Sequence, residues 1–389
     1  MPGIVTVSRR GEGRVQQGHP WVFRSDVARA DGVEPGSVVQ VRAQSGRVLG
    51  FALFSSRSEI TLRMVQRGPE LAADWLRARL TAALRWREAM NPGLATGRLV
   101  HGEGDGLPSI VVDRYERWLV VQTLSEAAEA LKPQLVALLV ELLEPEGVLE
   151  RNDPRVRTLE GLEQKVGLLR GSVPELVTVR EGDLTVQADL WRGQKTGLFL
   201  DQRENHLAAR QYAQGRVLDA FAYGGGFALQ MAAAGAEEVL AVDASADALA
   251  RVGANAALNG LGERVHTREA NVFDLLRELH ERQERFDTVV LDPPAFAKSK
   301  GAVEAAARGY KDINLRALRL LRPGGYLFTC SCSQHIHEGD FDEILAEAAH
   351  DAHATLAVVE KRRQARDHPV LLGVPETFYL KALVLRRLD

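Results

Sequence analysis

The chain has 389 residues, of which 45% are hydrophobic and 26% charged, and its formal net charge is −3. This length exceeds the size at which one hydrophobic core stops growing, so two or three domains are expected, and the composition is that of a globular rather than a disordered or fibrous protein. No apolar run reaches the roughly 18 to 20 residues of a membrane span and the N-terminus lacks an apolar signal core, so we expect a cytoplasmic protein without membrane association.

The N-terminal segment is basic. Up to Glu70 there are ten arginines and six acidic residues, which gives this segment a charge of +4 and leaves −7 for the remainder. Such a module can attract the phosphates of a nucleic acid, although a solvated face on a small β domain explains the same charges. Short β-like runs between turn signals predict a small β barrel, with strands at 37–42, 47–54 and 59–64.

The middle of the chain reads as a small α/β region without a chemical motif. Helical spacing is found at 74–88 and again at 128–143. Strand-like runs at 109–112 and 118–122 flank a turn, and a hairpin is predicted at 176–180 and 184–188. A spacer and a substrate-shaping insert are both consistent with this region.

From about Trp191 apolar strands alternate with helical segments, which predicts a parallel sheet with helices on both faces. The predicted strands are 216–221, 238–242, 286–292 and 325–332. Two last strands, at 355–360 and 378–386, have no clear helix between them and are expected to form an antiparallel hairpin at one edge. The three predicted domains are therefore 1–72, 73–190 and 191–389.

A glycine-rich turn follows the first of these strands, in the run DAFAYGGGF at 219–227. Glycine lets the backbone approach a ligand closely, and open α/β sheets bind ligands beyond the carboxyl ends of their strands. The run is not the G-x-G-x-x-G fingerprint of dinucleotide sites. An acid at Asp219 disfavours a pyrophosphate and suits a cationic ligand, such as S-adenosylmethionine with its ammonium and sulfonium groups.

Two further acceptors follow the next strands. Asp243 lies 24 residues after Asp219 and can accept hydrogen bonds from ribose hydroxyls, or it can simply open the next helix. A third strand leads to Asn271, whose amide oxygen can accept a hydrogen bond from an adenine amino group without carrying charge. The pair of acids at strand ends within one β-α-β unit favours a nucleotide-type site over two unrelated helix caps.

An Asp-Pro-Pro turn follows the fourth strand of this region, with Asp292 at its start. The two prolines stiffen the turn, which we expect to aim Asp292 into the cleft, while a rigid loop with a capping acid is the alternative. The pattern is typical of methyltransferases that act on planar, nitrogen-bearing substrates, although Ala295 stands where those have an aromatic residue.

The fifth strand ends in Cys330-Ser-Cys332-Ser, which contains both cysteines of the chain. Their Cα atoms should lie about 6.6 Å apart, near the upper limit for a disulfide, and two thiols do not support a zinc site, so no metal is expected. A strand cysteine is usually a packing residue. A cysteine where the strand exits opposite Asp292 is also a candidate nucleophile.

Methylation at carbon 5 of cytosine is a reaction that would require a thiol at the end of the fifth strand. This carbon is a poor nucleophile, and a thiolate that adds at carbon 6 converts the ring into a reactive enamine. An acid at N3 or the exocyclic amine assists the addition, and a base then removes the carbon 5 proton. We assign Cys332, which lies further toward the strand exit, as the nucleophile and Asp292 as the group at the base edge, with Cys330 as the fallback.

These residues make the chain similar to the ribosomal RNA large subunit methyltransferase I family, bacterial enzymes that form 5-methylcytosine in 23S ribosomal RNA. The resemblance covers essentially the whole length. Arg14, the run HPWVF at 19–23 and the strand at 50–54 resemble the family's RNA-binding PUA domain, and the run QKTGLFLDQR at 194–203 resembles the segment that crosses the cofactor pocket. The resemblance implies a class I Rossmann-like α/β fold with an antiparallel C-terminal hairpin, plus an N-terminal PUA-like β barrel and a small central α/β domain.

The resemblance also implies site residues. It assigns Cys332 as the catalytic cysteine. This sequence departs from the family at Asn271, where Asp is usual, and at Ala295, where Lys is frequent. The residues that it places around S-adenosylmethionine are Gln202, Arg203, Asp219, Phe221, Ala222, Tyr223, Gly224, Gly226, Phe227, Asp243, Ala244, Asn271, Val272, Phe273 and Asp292.

Other readings stay open. A guanine N-methyltransferase would use the Asp-Pro-Pro turn without a nucleophile, and a ribosome-assembly factor would bind RNA without catalysis. The expected partner is ribosomal RNA, as 23S RNA or a large-subunit precursor. A homodimer is considered as the assembly.

Overall fold

The computed structural model describes residues 2–297 and 300–389. Contacts divide the chain into two compact units, which are described separately. The first unit comprises Met1–Val179, Ala188–Leu200 and Arg366–Thr377, and the second comprises Arg180–Gln187, Asp201–Ala365 and Phe378–Asp389. Within the described residues no helix is long and apolar enough to cross a membrane.

The first unit begins with a six-stranded sheet in the order β2-β6-β5-β4-β1-β3. Its strands are β1 (Gly3–Val7), β2 (Trp21–Phe23), β3 (Val27–Arg29), β4 (Val38–Ala43), β5 (Val48–Phe54) and β6 (Ile60–Arg67). The three predicted strands correspond to β4, β5 and β6, with no end displaced by more than three residues. The structure adds β1 to β3 and helix α1 (Arg9–Gln16), which begins at Ser8, whose hydroxyl accepts the Gly11 N–H at 3.3 Å.

A five-stranded sheet in the order β11-β10-β9-β8-β7 follows. Its elements are α2 (Trp75–Met90), β7 (Thr96–His101), β8 (Ile110–Tyr115), β9 (Trp118–Thr123), α3 (Glu126–Leu143), β10 (Gly147–Asn152), α4 (Val156–Leu159) and β11 (Lys165–Gly171). Both predicted helices and the predicted strand pair are confirmed. The sequence prediction missed β7, β10 and β11. A two-stranded hairpin, β12 (Leu176–Glu181) and β13 (Leu184–Asp189), comes next, as predicted.

The second unit contains a seven-stranded sheet in the order β16-β15-β14-β17-β18-β20-β19. The strands are β14 (Arg216–Ala220), β15 (Glu238–Asp243), β16 (Val265–Glu269), β17 (Phe286–Leu291), β18 (Leu321–Ser331), β19 (Leu356–Arg363) and β20 (Lys381–Arg387). The helices are α5 (Arg203–Ala209), α6 (Gly226–Ala233), α7 (Ala246–Leu258), α8 (Val272–Glu281), α9 (Val303–Leu320) and α10 (Glu338–Ala352).

Strand directions in this sheet confirm the predicted architecture. The five strands β14 to β18 are parallel, and β20 runs antiparallel to both β18 and β19. The order reverses on either side of β14, which places a crevice at the carboxyl ends of β14 and β17. The core on one face includes Phe286, Tyr310 and Phe341.

The end of β18 corrects one prediction. Cys332 was expected inside the strand, but β18 ends at Ser331, so Cys332 is the first residue beyond it. Cys330 is fully buried, whereas Cys332 is half-buried, and the two cysteines do not form a disulfide. The strand ends early because Ser331 is the last residue that pairs with the neighbouring strand β20, through Lys381.

The hairpin supplies residues to the second unit. The backbone N–H groups of Thr185 and Gln187 donate hydrogen bonds of 2.9 Å to the side-chain oxygens of Asn259 and Asn255, respectively. The Asn259 amide returns a hydrogen bond of 2.7 Å to the Thr185 carbonyl. Part of β13 is therefore held by the helix α7 and the residue that follows it.

Candidate active site

The turn between β14 and α6 has an unusual backbone. Phe221, Tyr223 and Gly225 adopt positive φ angles of 69°, 47° and 86°. Positive φ is unfavourable for residues with a Cβ and persists where the surrounding structure holds it. Here the Ala222 N–H donates to the Val242 carbonyl at 2.8 Å, and the Tyr223 N–H donates to Asp243 Oδ2 at 2.9 Å. The turn is thus fixed to the end of the neighbouring strand β15.

Two glycines of this turn differ in their surroundings. A Cβ added to Gly224 would meet no atom within 4 Å, so this glycine borders open space. A Cβ added to Gly226 would lie 2.2 Å from Cε1 of His206, whose ring packs edge-on against Phe227 with centroids 4.6 Å apart. Packing therefore requires glycine at 226, whereas Gly224 leaves room beside the turn.

Asp219, at the end of β14, is 1% exposed. Its Oδ2 accepts the Ala228 N–H at 2.9 Å, while its Oδ1 has no hydrogen-bond partner among the described residues. Burial raises the pKa of Asp219 to about 7, and the Asp292 and Asp243 carboxylates add to the rise. A buried carboxylate with one open oxygen, close to two further acids, is suited to a positively charged ligand.

Asp243 and Asn271, which were predicted to contact the ribose and the adenine, also accept hydrogen bonds from the backbone of neighbouring residues. Asp243 is half-buried and accepts N–H groups from Tyr223 and Ser245, each at 2.9 Å, which still leaves carboxylate lone pairs for a ligand. Asn271 is exposed and caps α8, because its Oδ1 accepts the Phe273 N–H at 2.9 Å.

The remaining predicted residues on these strand ends differ in exposure. Ala244 is exposed and Phe273 is half-buried, while Val272 and Phe227 are buried. The Phe227 ring also packs against Phe328, with centroids 5.0 Å apart, so its side chain belongs to the core.

Asp292 lies directly after β17 and contacts the segment that precedes the sheet. The side-chain amide of Gln202 donates a hydrogen bond of 2.8 Å to Asp292 Oδ1, and Gln202 Oε1 accepts one of 2.6 Å from Asn205. Gln202 and Arg203 are both buried. The structure thus places Gln202 and Asp292, both predicted site residues, in contact. The two hydrogen bonds orient the Gln202 amide so that its nitrogen faces Asp292 and its oxygen faces Asn205.

His206 was not predicted from the sequence. Its Nδ1 lies 2.9 Å from Glu181 Oε1, and the ring is buried. Burial opposes protonation, but the Glu181 carboxylate, followed by Asp292 and Asp219, raises the pKa of His206 above its ordinary value. No local pattern pointed to this residue, because its partner lies 25 positions away on β12.

The two thiols have different environments. The Cys332 Sγ lies 3.7 Å from the Pro293 carbonyl oxygen, so this cysteine lies at the Asp-Pro-Pro turn. Cys330 is sealed in the core, where its side chain hydrogen-bonds with Gln202 and burial raises the pKa of its thiol. Only the Cys332 thiol combines partial exposure with this turn.

Ser333 joins the segments around Cys332. Its hydroxyl accepts the Ala297 N–H at 3.1 Å and lies 2.9 Å from the Tyr310 hydroxyl. The Tyr310 ring packs against Phe296, with centroids 4.6 Å apart. The Asp-Pro-Pro turn and the residue after Cys332 are therefore held together. In the described ranges no group of three or more His, Cys, Asp or Glu could hold a metal ion.

Comparisons with known proteins agree with this geometry. Residues 162–386 match a family described as S-adenosylmethionine-dependent methyltransferase, and residues 5–67 match a PUA-like domain. The chain is 43% identical over 380 residues to ribosomal RNA large subunit methyltransferase I of Photobacterium profundum, covering 95% of this chain and 96% of that protein. It is 40% identical over 376 residues to the protein of the same name from Aliivibrio fischeri, covering 95% of each.

Solved structures share the fold. A candidate S-adenosylmethionine-dependent methyltransferase from Streptococcus mutans superposes with a TM-score of 0.84 at 19% identity, covering 98% of this chain and 99% of that one. A second structure, of a candidate methyltransferase in complex with SAH, gives a TM-score of 0.85 at 19% identity with the same coverage.

Proposed function

Since the chain belongs to the ribosomal RNA large subunit methyltransferase I family of S-adenosylmethionine-dependent enzymes, we propose that it methylates carbon 5 of a cytosine in 23S ribosomal RNA through a covalent adduct with Cys332. The coarser activity, S-adenosylmethionine-dependent methylation of large-subunit ribosomal RNA, is that of the family. One observation carries the choice of base: the half-buried Cys332 thiol lies at the Asp-Pro-Pro turn, 3.7 Å from the Pro293 carbonyl.

The described residues fit the cofactor. S-adenosylmethionine supplies an electrophilic methyl group on a sulfonium. The open Oδ1 of Asp219 and the space beside Gly224 suit a cationic ligand that lies against the turn. The residues proposed to hold it are Gln202, Arg203, Asp219, Phe221, Ala222, Tyr223, Gly224, Gly226, Phe227, Asp243, Ala244, Asn271, Val272, Phe273 and Asp292.

Cys332 has the chemical role in this proposal. Its thiolate adds to carbon 6 of the cytosine, and the electron pair of the carbon 5–carbon 6 double bond becomes available at carbon 5 for methylation. A base then accepts the carbon 5 proton, which restores the double bond and expels the thiolate. Asp292, oriented by its 2.8 Å hydrogen bond from Gln202, is assigned to the N3 and amine edge of the base, where it assists the addition.

Burial supports Cys332 over Cys330 as the nucleophile. Cys330 has no exposed surface, and a thiol with a raised pKa holds less thiolate at neutral pH. An RNA base cannot reach its sulfur without opening the core around β18. We infer that Cys330 has a packing role.

The decisive experiment compares Cys332→Ala with Cys330→Ala on 23S RNA and a labelled methyl donor. Mass spectrometry should find 5-methylcytosine with the wild type and Cys330→Ala but none with Cys332→Ala. RNA that contains 5-fluorocytosine should form a covalent adduct that depends on Cys332. Continued formation of 5-methylcytosine by Cys332→Ala would refute the mechanism. Methylated guanine in its place would indicate the nitrogen chemistry, and a lack of cofactor binding in calorimetry would indicate a non-catalytic RNA-binding factor.

We further propose that the three segments 1–72, 73–190 and 191–389 act as an RNA-binding domain, a central domain and the catalytic domain. The match of residues 5–67 to a PUA-like domain supports an RNA-binding role for the first. A cytoplasmic location follows from the proposed ribosomal substrate. Light scattering of the purified protein tests whether it forms a homodimer.

A further inference from the structure

A buried lysine lies beside the proposed nucleophile. Lys381 is the first residue of β20 and is 3% exposed. Its Cα pairs with that of Ser331, the last residue of β18, so the lysine lies where the chain leaves the strand toward Cys332. Its Nζ donates hydrogen bonds of 2.7 Å to the Ser333 carbonyl and 3.0 Å to the Tyr379 carbonyl. One of its two acceptors therefore belongs to the residue directly after Cys332.

The charge of this lysine is not neutralised by an ion pair. Across the described ranges 2–297 and 300–389, Lys381 forms no salt bridge with a carboxylate, and the ionisable groups that act on it are Cys332 and Asp340. Burial lowers the pKa of Lys381 to about 8, while Cys332 and Asp340 oppose that decrease. An ammonium group has three donors, of which two contact carbonyl groups, so one stays available for a further acceptor.

The interaction between the lysine and the thiol works in both directions. If a thiolate at Cys332 favours the charged form of Lys381, the charged lysine must equally favour the thiolate. Tyr310 and Cys330 also face Cys332, but neither can carry a positive charge. A nearby cation is a recognised means of increasing the thiolate fraction of a reactive cysteine.

We propose that Lys381 is a positioning residue that holds Cys332 as a thiolate and fixes the chain beyond it through the Ser333 carbonyl. The thiol proton passes to solvent before attack, and Lys381 keeps its own proton throughout, so the lysine is unchanged at the end of each turnover. This role rests on the proposed cytosine chemistry, because only that chemistry requires a thiolate at this place.

The test is the rate at which iodoacetamide alkylates Cys332 in the full-length protein between pH 5 and pH 10, with the site assigned by fragment mass spectrometry. In the wild type we expect a midpoint below the value of about 8.5 for a free cysteine. Lys381→Met should raise this midpoint by about one unit and slow alkylation at pH 7 about tenfold, while Lys381→Arg should stay within about threefold of the wild type.

Lys361→Met is the matched control, because it removes the same charge from the adjacent strand β19, where Lys361 pairs with Asp342 at the surface. Its alkylation profile should coincide with that of the wild type. A wild-type midpoint at or above that of the urea-unfolded protein would overturn the proposal, and so would an unchanged midpoint in Lys381→Met. Should Lys381→Met fail to fold, the wild-type and Lys381→Arg profiles still decide, since the proposal requires a depressed midpoint in both.

This measurement needs neither RNA nor methyl donor, so its outcome is separate from that of the proposed function. A depressed, lysine-dependent midpoint without 5-methylcytosine formation would remove the cytosine chemistry and leave the lysine–thiolate pair. Formation of 5-methylcytosine with an ordinary midpoint would remove the role of Lys381 alone. A catalytic readout completes the test: kcat/KM of Lys381→Met should recover partly as the pH rises from 7 to 9, because alkaline pH supplies the thiolate.

Discussion

The Gln202 side-chain amide donates a 2.8 Å hydrogen bond to the carboxylate of Asp292, while its oxygen accepts one from Asn205. Asn205 is held in turn by Arg362, whose Nε lies 2.9 Å from Asn205 Oδ1. This chain of contacts joins α5, the loop after β17 and the edge strand β19. It keeps a neutral donor, rather than a second acid, against the carboxylate assigned to the substrate base.

Replacing this neutral donor with an acid should impair catalysis. In Gln202→Glu a second carboxylate would adjoin Asp292, and one of the two would have to hold a proton at neutral pH. We expect kcat/KM for RNA methylation to fall by about 100-fold, the lower end of what a well-placed acid–base group contributes. Gln214→Glu, at an exposed position, should leave the rate within about twofold of the wild type. Equal rates for Gln202→Glu and the wild type would contradict the role of this contact.

Asp219 should make the ligand-free protein less stable at alkaline pH. Its pKa of about 7 exceeds the ordinary value of 3.8. Between these two pH values the native state keeps a proton that the unfolded chain has lost, so the free energy of unfolding falls as the pH rises toward and through 7. Asp219→Asn cannot ionise and can still accept the Ala228 N–H. Its stability advantage over the wild type should grow by about 2 to 3 kcal/mol between pH 5 and pH 8. Urea unfolding followed by circular dichroism measures this, with Asp247→Asn as the exposed control.

The two glycines of the turn provide a matched pair of substitutions. Gly226→Ala would place a methyl group against the packed ring of His206 and should lower the free energy of unfolding by about 1 to 3 kcal/mol. Gly224→Ala projects into open space, so its thermal midpoint should equal that of the wild type. If S-adenosylmethionine occupies that space, calorimetry should show about tenfold weaker binding to Gly224→Ala, since the methyl group overpacks the contact. Wild-type stability of Gly226→Ala would show that His206 moves aside freely.

The basic N-terminal segment should contribute to RNA affinity through unpaired arginines. Arg9 and Arg57 are exposed and form no ion pair with any described residue. If both contact phosphates, Arg9→Ala/Arg57→Ala should reduce the slope of log affinity against log salt by about 1.4 on single-stranded RNA. The control Arg277→Ala/Arg282→Ala removes two exposed arginines paired with Asp274 and Glu278. An equal change in both double variants would argue against a specific role for the N-terminal segment.

Structural features could be predicted from the sequence where they depend on residues that are close together in the chain. Strands β14, β15, β17 and β18 could be predicted because buried parallel strands are continuous apolar runs, and the turn at 219–227 could be predicted because glycines interrupt the apolar pattern. The missed strand β1 pairs with β3 and β4 rather than with the next strand of the chain, and the missed strand β11 is largely exposed, so no apolar run marks it. Their formation depends on partners rather than on composition.

In the candidate active site, too, some residues could be predicted from the sequence and others could not. Asp219, Asp243 and Asp292 follow strands, so their meeting at one edge could be expected from topology. The contact of His206 with Glu181 and the burial of Lys381 could not, because a histidine in a helix and a lysine at the end of a strand normally face water. Both depend on how distant segments pack, which no local pattern in the sequence records.

The hydrogen bonds from Thr185 and Gln187 to α7 and Asn259 have a practical meaning for dissecting the protein. A catalytic fragment cut at Trp191 would begin after the hairpin, at the start of the predicted third domain. This cut would separate the fragment from Thr185, Gln187 and Glu181. The side-chain oxygens of Asn255 and Asn259 and the Nδ1 of His206 would then lose their partners on the hairpin to water. A fragment that retains residues from Arg180 onward keeps those interactions, so autonomous folding is more readily expected of it than of the shorter piece.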